Sequence, residues 1–347
     1  MTSLRELFAG VRNTFAPKVP SHADLIELVR ENDIDTLTSA FDRHDLKTDN
    51  LLHDVQSPEM VDFLVGKGAD VNRPYENKDG PGDYGDPTPL LSAAGSANAG
   101  TVQRLLHHGA DPDAGGVADG YPLGCAVTRD DDQQEAVVRA LLNAGAGTRG
   151  ALAAAVEKKW VTVGTITALL EHGAGPNDCS NDYGHEPALN IAAAQGRGDV
   201  VDLLLDYGAD PMKRNVVSET ALHEAATNGQ TEIVEKLVTR SADPAALVNA
   251  LADGHDTPLS KAAVFGHVAT TAKLLDLGAD PGLAMKSDAW RRSESYVADS
   301  EVQKMEAMNL VQVNGEKQAL RQTFAEVEQE QAPDVAEQPA PRRRVRL

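Results

Sequence analysis

Aromatic residues are scarce in this chain: 6 Phe, 6 Tyr and 2 Trp are spread over 347 residues. Strand-rich sandwiches draw on aromatic and β-branched side chains, so the scarcity argues against that class and for close-packed short helices rich in Ala and Leu. Cysteine is rarer still. Cys125 and Cys179 alone supply neither a disulfide framework nor a zinc ligand set, which fits a reducing compartment. No apolar run approaches the length of a membrane-spanning helix, and no apolar leader with a small-residue cleavage site follows Met1. The expectation is a cytoplasmic protein, with secretion by a specialised system left open. Basic residues are outnumbered, 32 Lys and Arg against 53 Asp and Glu. The formal charge of −21 opposes nucleic acid or an anionic membrane as the main ligand and favours a basic partner, although a salty habitat also selects acidic surfaces.

Catalytic signatures are missing too. There is no G-x-S-x-G, no phosphate loop, no H-E-x-x-H and no paired-cysteine motif, so neither an enzyme nor a cofactor is expected. Two acidic stretches invite a calcium reading: Asn77, Asp79, Asp83 and Asp86, and the run Asp130–Asp132. Calcium wants six to eight oxygens and a bidentate Glu, and the ordered acids and glycine of an EF-hand loop are absent, so both read as solvated faces. His107 and His108 close a helix, where cations suit the negative C-terminal end.

What the chain does contain is a repeat. "GADVN" at Gly68, "GADPD" at Gly109, "GAGTR" at Gly145, "GAGPN" at Gly173, "GADPM" at Gly208, "SADPA" at Ser241 and "GADPG" at Gly278 recur along it. A second signature precedes most of them: "TPLLSAA" from Thr88, "YPLGCAV" from Tyr121, "PALNIAA" from Pro187, "TALHEAATNG" from Thr220 and "TPLSKAAVFGH" from Thr257. Leu90, Leu189 and Leu259 each lie 19 residues before Gly109, Gly208 and Gly278, and Leu222 lies as far before Ser241. In the unit from Thr220, the threonine can cap a helix, Leu222, Ala225 and Ala226 face a neighbour, and Gly229 lets the chain reverse. Ile233, Val234, Leu237 and Val238 then stripe a second helix. Neither helix buries its stripe alone, so units must stack, and small Ala allows close approach.

These paired strings resemble ankyrin repeats, over roughly Ala23 to Pro281. The resemblance implies an all-α repeat solenoid of paired antiparallel helices joined by β-hairpin-like fingers. About eight units are expected, starting near Leu25, Leu52, Leu90, Leu123, Leu152, Leu189, Leu222 and Leu259. It also implies that His223, and His53 likewise, hold turn backbone rather than act as catalysts. Fingers and first helices of this family line a concave face that binds proteins.

The expected organisation is an amphipathic helical cap at 1–20, the array at 21–281, a helical cap at 282–315, a further helix at 316–330 and a disordered tail with a basic end at 331–347. Leu4, Leu7, Phe8, Val11 and Phe15 share one face of the first segment, and Trp290, Tyr296 and Val297 are candidates to cover the far end.

Finger lengths are uneven. Asp210 to Thr220 and Asp111 to Tyr121 span the ordinary 10 residues, Asp70 to Thr88 spans 18, and Gly147 to Gly150 only 3. Tyr75, Tyr84, Tyr121 and Tyr183 lie in or beside fingers, among acids. Tyr is enriched in interfaces because it presents rigid area with a polar tip. The candidate partner-binding residues are therefore Tyr75, Asp79, Asp83, Tyr84, Asp86, Asp113, Asp119, Tyr121, Asp182, Tyr183 and Glu186. The leading reading is a non-enzymatic adaptor, monomeric when free, that grips a protein carrying a basic patch. Two alternatives stand beside it: an inhibitor or immunity-type protein that blocks a basic, nucleic-acid-acting enzyme or toxin, and a secreted effector that uses its terminal segments for targeting.

Overall fold

The computed structural model describes residues 19–75, 87–115, 121–179, 185–293 and 301–331. Helices follow one another in pairs. The first pair is α1 (His22–Arg30) and α2 (Ile34–Arg43). In the second, a 3-10 turn (Leu51–Asp54) stands in for a first helix and is followed by α3 (Pro58–Gly66). Then come α4 (Pro89–Ser96) with α5 (Ala99–His107), α6 (Pro122–Val127) with α7 (Gln134–Asn143), and α8 (Ala151–Glu157) with α9 (Val163–Glu171). The later pairs are α10 (Ala188–Gln195) with α11 (Gly198–Asp206), and α12 (Ala221–Thr227) with α13 (Thr231–Thr239). A short α14 (Pro244–Val248) precedes α15 (Pro258–Val264) and α16 (Val268–Asp276). Two further turns of helix, α17 (Pro281–Ala284) and α18 (Asp288–Arg291), lead to a long α19 (Glu301–Gln331).

Local chemistry sets these boundaries. Ser21, Ser57, Thr88, Asn98, Thr162 and Thr257 each accept a backbone N–H in the first turn of the helix they precede. Proline occupies the first turn of α3, α4, α6 and α15, where its missing N–H costs nothing. At the ends of second helices, Gly68, Gly109, Gly173, Gly208 and Gly278 adopt φ near +90°, a left-handed turn that a Cβ would strain.

The pairs stack into two rows of helices. First helices α4, α6, α8, α10, α12 and α15 pack each on the next, and second helices α3, α5, α7, α9, α11, α13 and α16 do the same. Leu90, Leu123, Leu152, Leu189, Leu222 and Leu259, equivalent by sequence register, are all buried in one continuous core. Ala93, Ala126, Ala155, Ala192, Ala225 and Ala262 are buried beside them and keep the rows close. No strand forms among the described residues; Cys179 and Pro187 make an isolated antiparallel bridge at one finger base.

Side chains tie each finger to the next. The Asn72 amide donates to the Gly109 carbonyl at 3.0 Å, and its carbonyl accepts from Asp111 N–H at 2.8 Å. Asn177 repeats this with Gly208 and Asp210, and Asn249 with Gly278 and Asp280. The far end of the array is covered by α19, which packs on α15, α16 and α17 and buries Lys304, Ala307 and Val311. That helix runs unbroken through Gly315, past the junction at which the sequence pattern suggested two separate segments. Trp290 packs at the edge of the core. Residues 1–18 of the N-terminal cap expected over 1–20, Tyr296 and Val297, and the tail from 332 onward lie outside the described residues.

Candidate functional site

Fingers and first helices share one face of the stack, and its chemistry changes from unit to unit. The threonine–histidine pair of α12 shows one way in which a first helix is braced to the next finger. In the unit of α12, the Thr220 backbone N–H donates to His223 Nδ1 at 3.2 Å, and Nε2 donates to the Asp256 carbonyl at 3.1 Å in the next finger. The ring is fully buried, and burial holds its pKa down, to about 4, so it serves as a neutral brace. His53 does similar work, with Nε2 3.0 Å from the Pro87 carbonyl, and stacks edge-on with Tyr75. His108 differs from expectation: its Nε2 lies 2.6 Å from Asp62 Oδ1 on the neighbouring second helix, so it bridges units instead of capping carbonyls.

Units α6 and α8 abandon this arrangement. Tyr121 and Gly150 stand at the threonine position and neither gives a side-chain cap, the latter with φ +73°. Gly124 and Ala153 stand at the histidine position. Asp113 replaces the stapling Asn; its carboxylate accepts from Gly147 N–H at 2.8 Å but has no donor for a carbonyl in return. A missing cap alone costs about 0.5–2 kcal/mol. Where these departures meet, and where the finger between Gly147 and Gly150 is clipped, a cavity of about 610 Å³ opens between α6 and α8. Leu123, Gly124, Cys125, Ala151 and Ala154 line its apolar part, with Asp113, Tyr121, Arg149, Glu157 and Lys158 also in the wall. Burial pushes the Cys125 thiol up from its ordinary value.

Further along the same face, α10, α12 and α15 bring carboxylates together. Lys261 Nζ lies 2.6 Å from Glu219 Oε1 and 3.8 Å from Asp256 Oδ2, all three side chains being largely buried. Asn215 donates to both oxygens of Glu186, at 3.3 and 3.1 Å, and the Asn190 amide donates to the Glu219 carbonyl at 3.1 Å. Burial, then the charges of Glu219 and Glu186, push Glu224 up to about 7. Burial also raises Glu186, against the hydrogen bonds from Asn215 and Asn190 that lower it.

Of the residues expected to meet a partner, Asp113 and Tyr121 come together at the cavity, Tyr121 half exposed. Tyr75 sits at the base of the long finger, its N–H bonded to the Pro87 carbonyl at 2.8 Å and its ring against His53. Glu186 is half-buried within the carboxylate group instead of standing free on a finger. Asp79, Asp83, Tyr84, Asp86, Asp119, Asp182 and Tyr183 lie outside the described residues, as does Asn77. In the run Asp130–Asp132, Asp131 pairs with the buried Arg129 at 2.6 Å. Among the described residues no group of three or more His, Cys, Asp or Glu is arranged to hold a metal ion. Sequence reasoning missed Glu219, Glu224 and Arg149. The clipped finger and the glycine at position 124 were the available signals for the last.

Stacked helix pairs joined by fingers, with a patterned face along one side, define a helical-repeat solenoid. The chain belongs to the ankyrin repeat family. A profile described as "Ankyrin repeats (3 copies)" matches residues 123–215 and 214–284, and one described as "Ankyrin repeat" matches 88–116; together they cover more than half of the chain. The human ASB11 ankyrin repeat domain superposes with a TM-score of 0.50 at 19% identity, covering 74% of this chain and 98% of that one. The ankyrin repeat domain of Bcl-3, of the IkappaB family, gives 0.50 at 20% identity, over 73% of this chain and 96% of that one. A 2-5A-dependent ribonuclease of Mus musculus is 47% identical over 49 residues, which is 14% of this chain and only 6% of that protein, a match confined to repeat sequence. Ankyrin repeats are in general protein–protein interaction modules, typically without catalytic activity. No helix among the described residues is long and apolar enough to cross a membrane.

Proposed function

We propose that the chain is a non-enzymatic adaptor whose finger and first-helix face receives a partner protein through a basic patch. The observation that carries this reading is the Glu186, Glu219 and Glu224 group. Lys261 answers Glu219, but its charge does not offset the desolvation and repulsion that keep Glu224 near neutral up to about pH 7. An incoming Lys or Arg side chain would supply the missing charge, and the Glu224 proton would leave as it docked. The formal charge of −21 steers such a partner from a distance, with a rate that falls as salt screens it. Tyr75 and Tyr121, exposed at the bases of their fingers, are candidates to extend the same surface.

The test is quantitative capture from a lysate by the intact chain, by Glu186→Gln/Glu224→Gln, and by a form with residues 74–86 shortened. Capture of basic proteins that weakens with added salt and drops in the altered forms is the expected result. Equal capture by all three forms, or a captured set no more basic than the lysate, would discard the reading.

A further inference from the structure

The cavity between α6 and α8 is not explained by a basic partner. Its apolar wall offers nothing to a cation, and its size of about 610 Å³ falls within the ~300–1,000 Å³ typical of small-molecule sites. It also lies where two adjoining first helices, α6 and α8, both lack a side-chain cap and where Asp113 stands in for the stapling asparagine. Local departures of that kind concentrate at functional sites.

The charges around the wall decide what would fit. Asp113 already accepts the Gly147 N–H at 2.8 Å, and Glu157 is paired with Lys158 at 3.1 Å. Arg149 is exposed and makes no hydrogen bond or ion pair with any other described residue. Its guanidinium presents a planar fork matched to a carboxylate. We propose that the cavity is a binding pocket for a small amphipathic carboxylic acid, with the apolar body against Leu123, Gly124, Cys125, Ala151 and Ala154 and the carboxylate on Arg149. This ligand is separate from the basic protein partner, and its binding does not depend on that reading.

Decanoate is a suitable probe, with decanol as the same tail without the charge, each titrated calorimetrically into the full chain below its aggregation threshold. Saturable decanoate binding about two- to fivefold tighter than decanol is expected, since an ion pair on an exposed guanidinium is partly screened by solvent. Arg149→Gln should erase the preference, and Ala154→Phe, which fills the cavity, should abolish both. Should Ala154→Phe unfold the chain, Gly124→Leu fills the same space from the other unit. Decanoate should also slow alkylation of Cys125 in a Cys179→Ser background. The proposal is overturned if decanoate does not saturate, if decanol binds equally well, or if Arg149→Gln keeps the preference. It is overturned equally if a filled cavity leaves binding intact, or if only a peptide ending in an apolar residue binds.

Discussion

The imidazole of His223 and the backbone carbonyl of Asp256 join two successive units through a buried hydrogen bond of 3.1 Å, with the ring held neutral by burial. This bond has a signed consequence for pH. The folded ring resists protonation until about pH 4, whereas the unfolded ring takes a proton near its ordinary 6.5. The contribution is therefore complete above about pH 6.5, is lost as pH falls toward 4, and changes no further below that. About 3 kcal/mol is its ceiling. Urea denaturation across this window should show a steeper loss for the parent than for His223→Gln; parallel profiles would mean that the ring is not buried neutral.

Glu224 titrates with the opposite sense. Its folded pKa is raised to about 7 from 4.5, so the folded state keeps a proton that the unfolded state has released. Stability is lost as pH rises from about 4.5 through 7. Glu224→Gln should consequently be more stable than the parent above pH 7, by on the order of 1 kcal/mol, and little different near pH 4. Equal denaturation midpoints at both ends would show that the carboxyl is already compensated.

Arg129 is the least expected structural residue. Its Nη1 donates to the Ala94 and Ala97 carbonyls at 3.0 and 2.8 Å, closing the end of α4 from the next unit, while Trp160 Nε1 donates to the Arg129 carbonyl at 2.7 Å. Arg129→Met keeps the length of the side chain and strands both carbonyls. A loss of roughly 2–4 kcal/mol is expected in chemical denaturation. A change under about 0.5 kcal/mol, the range of ordinary surface substitutions, would show that water replaces the guanidinium.

Leu222 lies fully buried in α12 between α10 and α15. Leu222→Asp places an unpaired charge in the middle of the array, where damage separates the units on either side, and should cost more than about 3 kcal/mol. Leu251→Asp, at a half-exposed finger position, is the control and should melt close to the parent. A mid-array variant that melts like the parent would refute the repeat register.

Much of the fold was readable because the signals are local and repeated. Thr88, Ser57 and Thr257 announce helix starts within a turn of where they act, Gly68 to Gly278 announce the ends, and the leucine register survives at every unit with the ordinary spacing. The candidate site was readable only in outline. Finger lengths marked both the enlarged stretch before Thr88, where 76–86 lie outside the described residues, and the clipped stretch at Gly147–Gly150. Beside the latter, Asp113 and Tyr121 line a cavity that finger lengths alone did not announce. Glu186 reads in sequence as a finger acid open to a partner, but Asn215, 29 residues away, draws it inward.

By itself the sequence determined the repeat, its helix boundaries and the burial of its leucines and alanines, since each depends on contacts within a unit or on a pattern shared by all of them. Tertiary structure alone decided where charge and space are left over. Stacking sets Glu186, Glu219, Glu224 and Lys261 from three units beside one another, and it turns a missing finger into a walled cavity facing Arg149. Those properties belong to differences between neighbouring units, and a difference acquires its meaning only when the units are packed side by side.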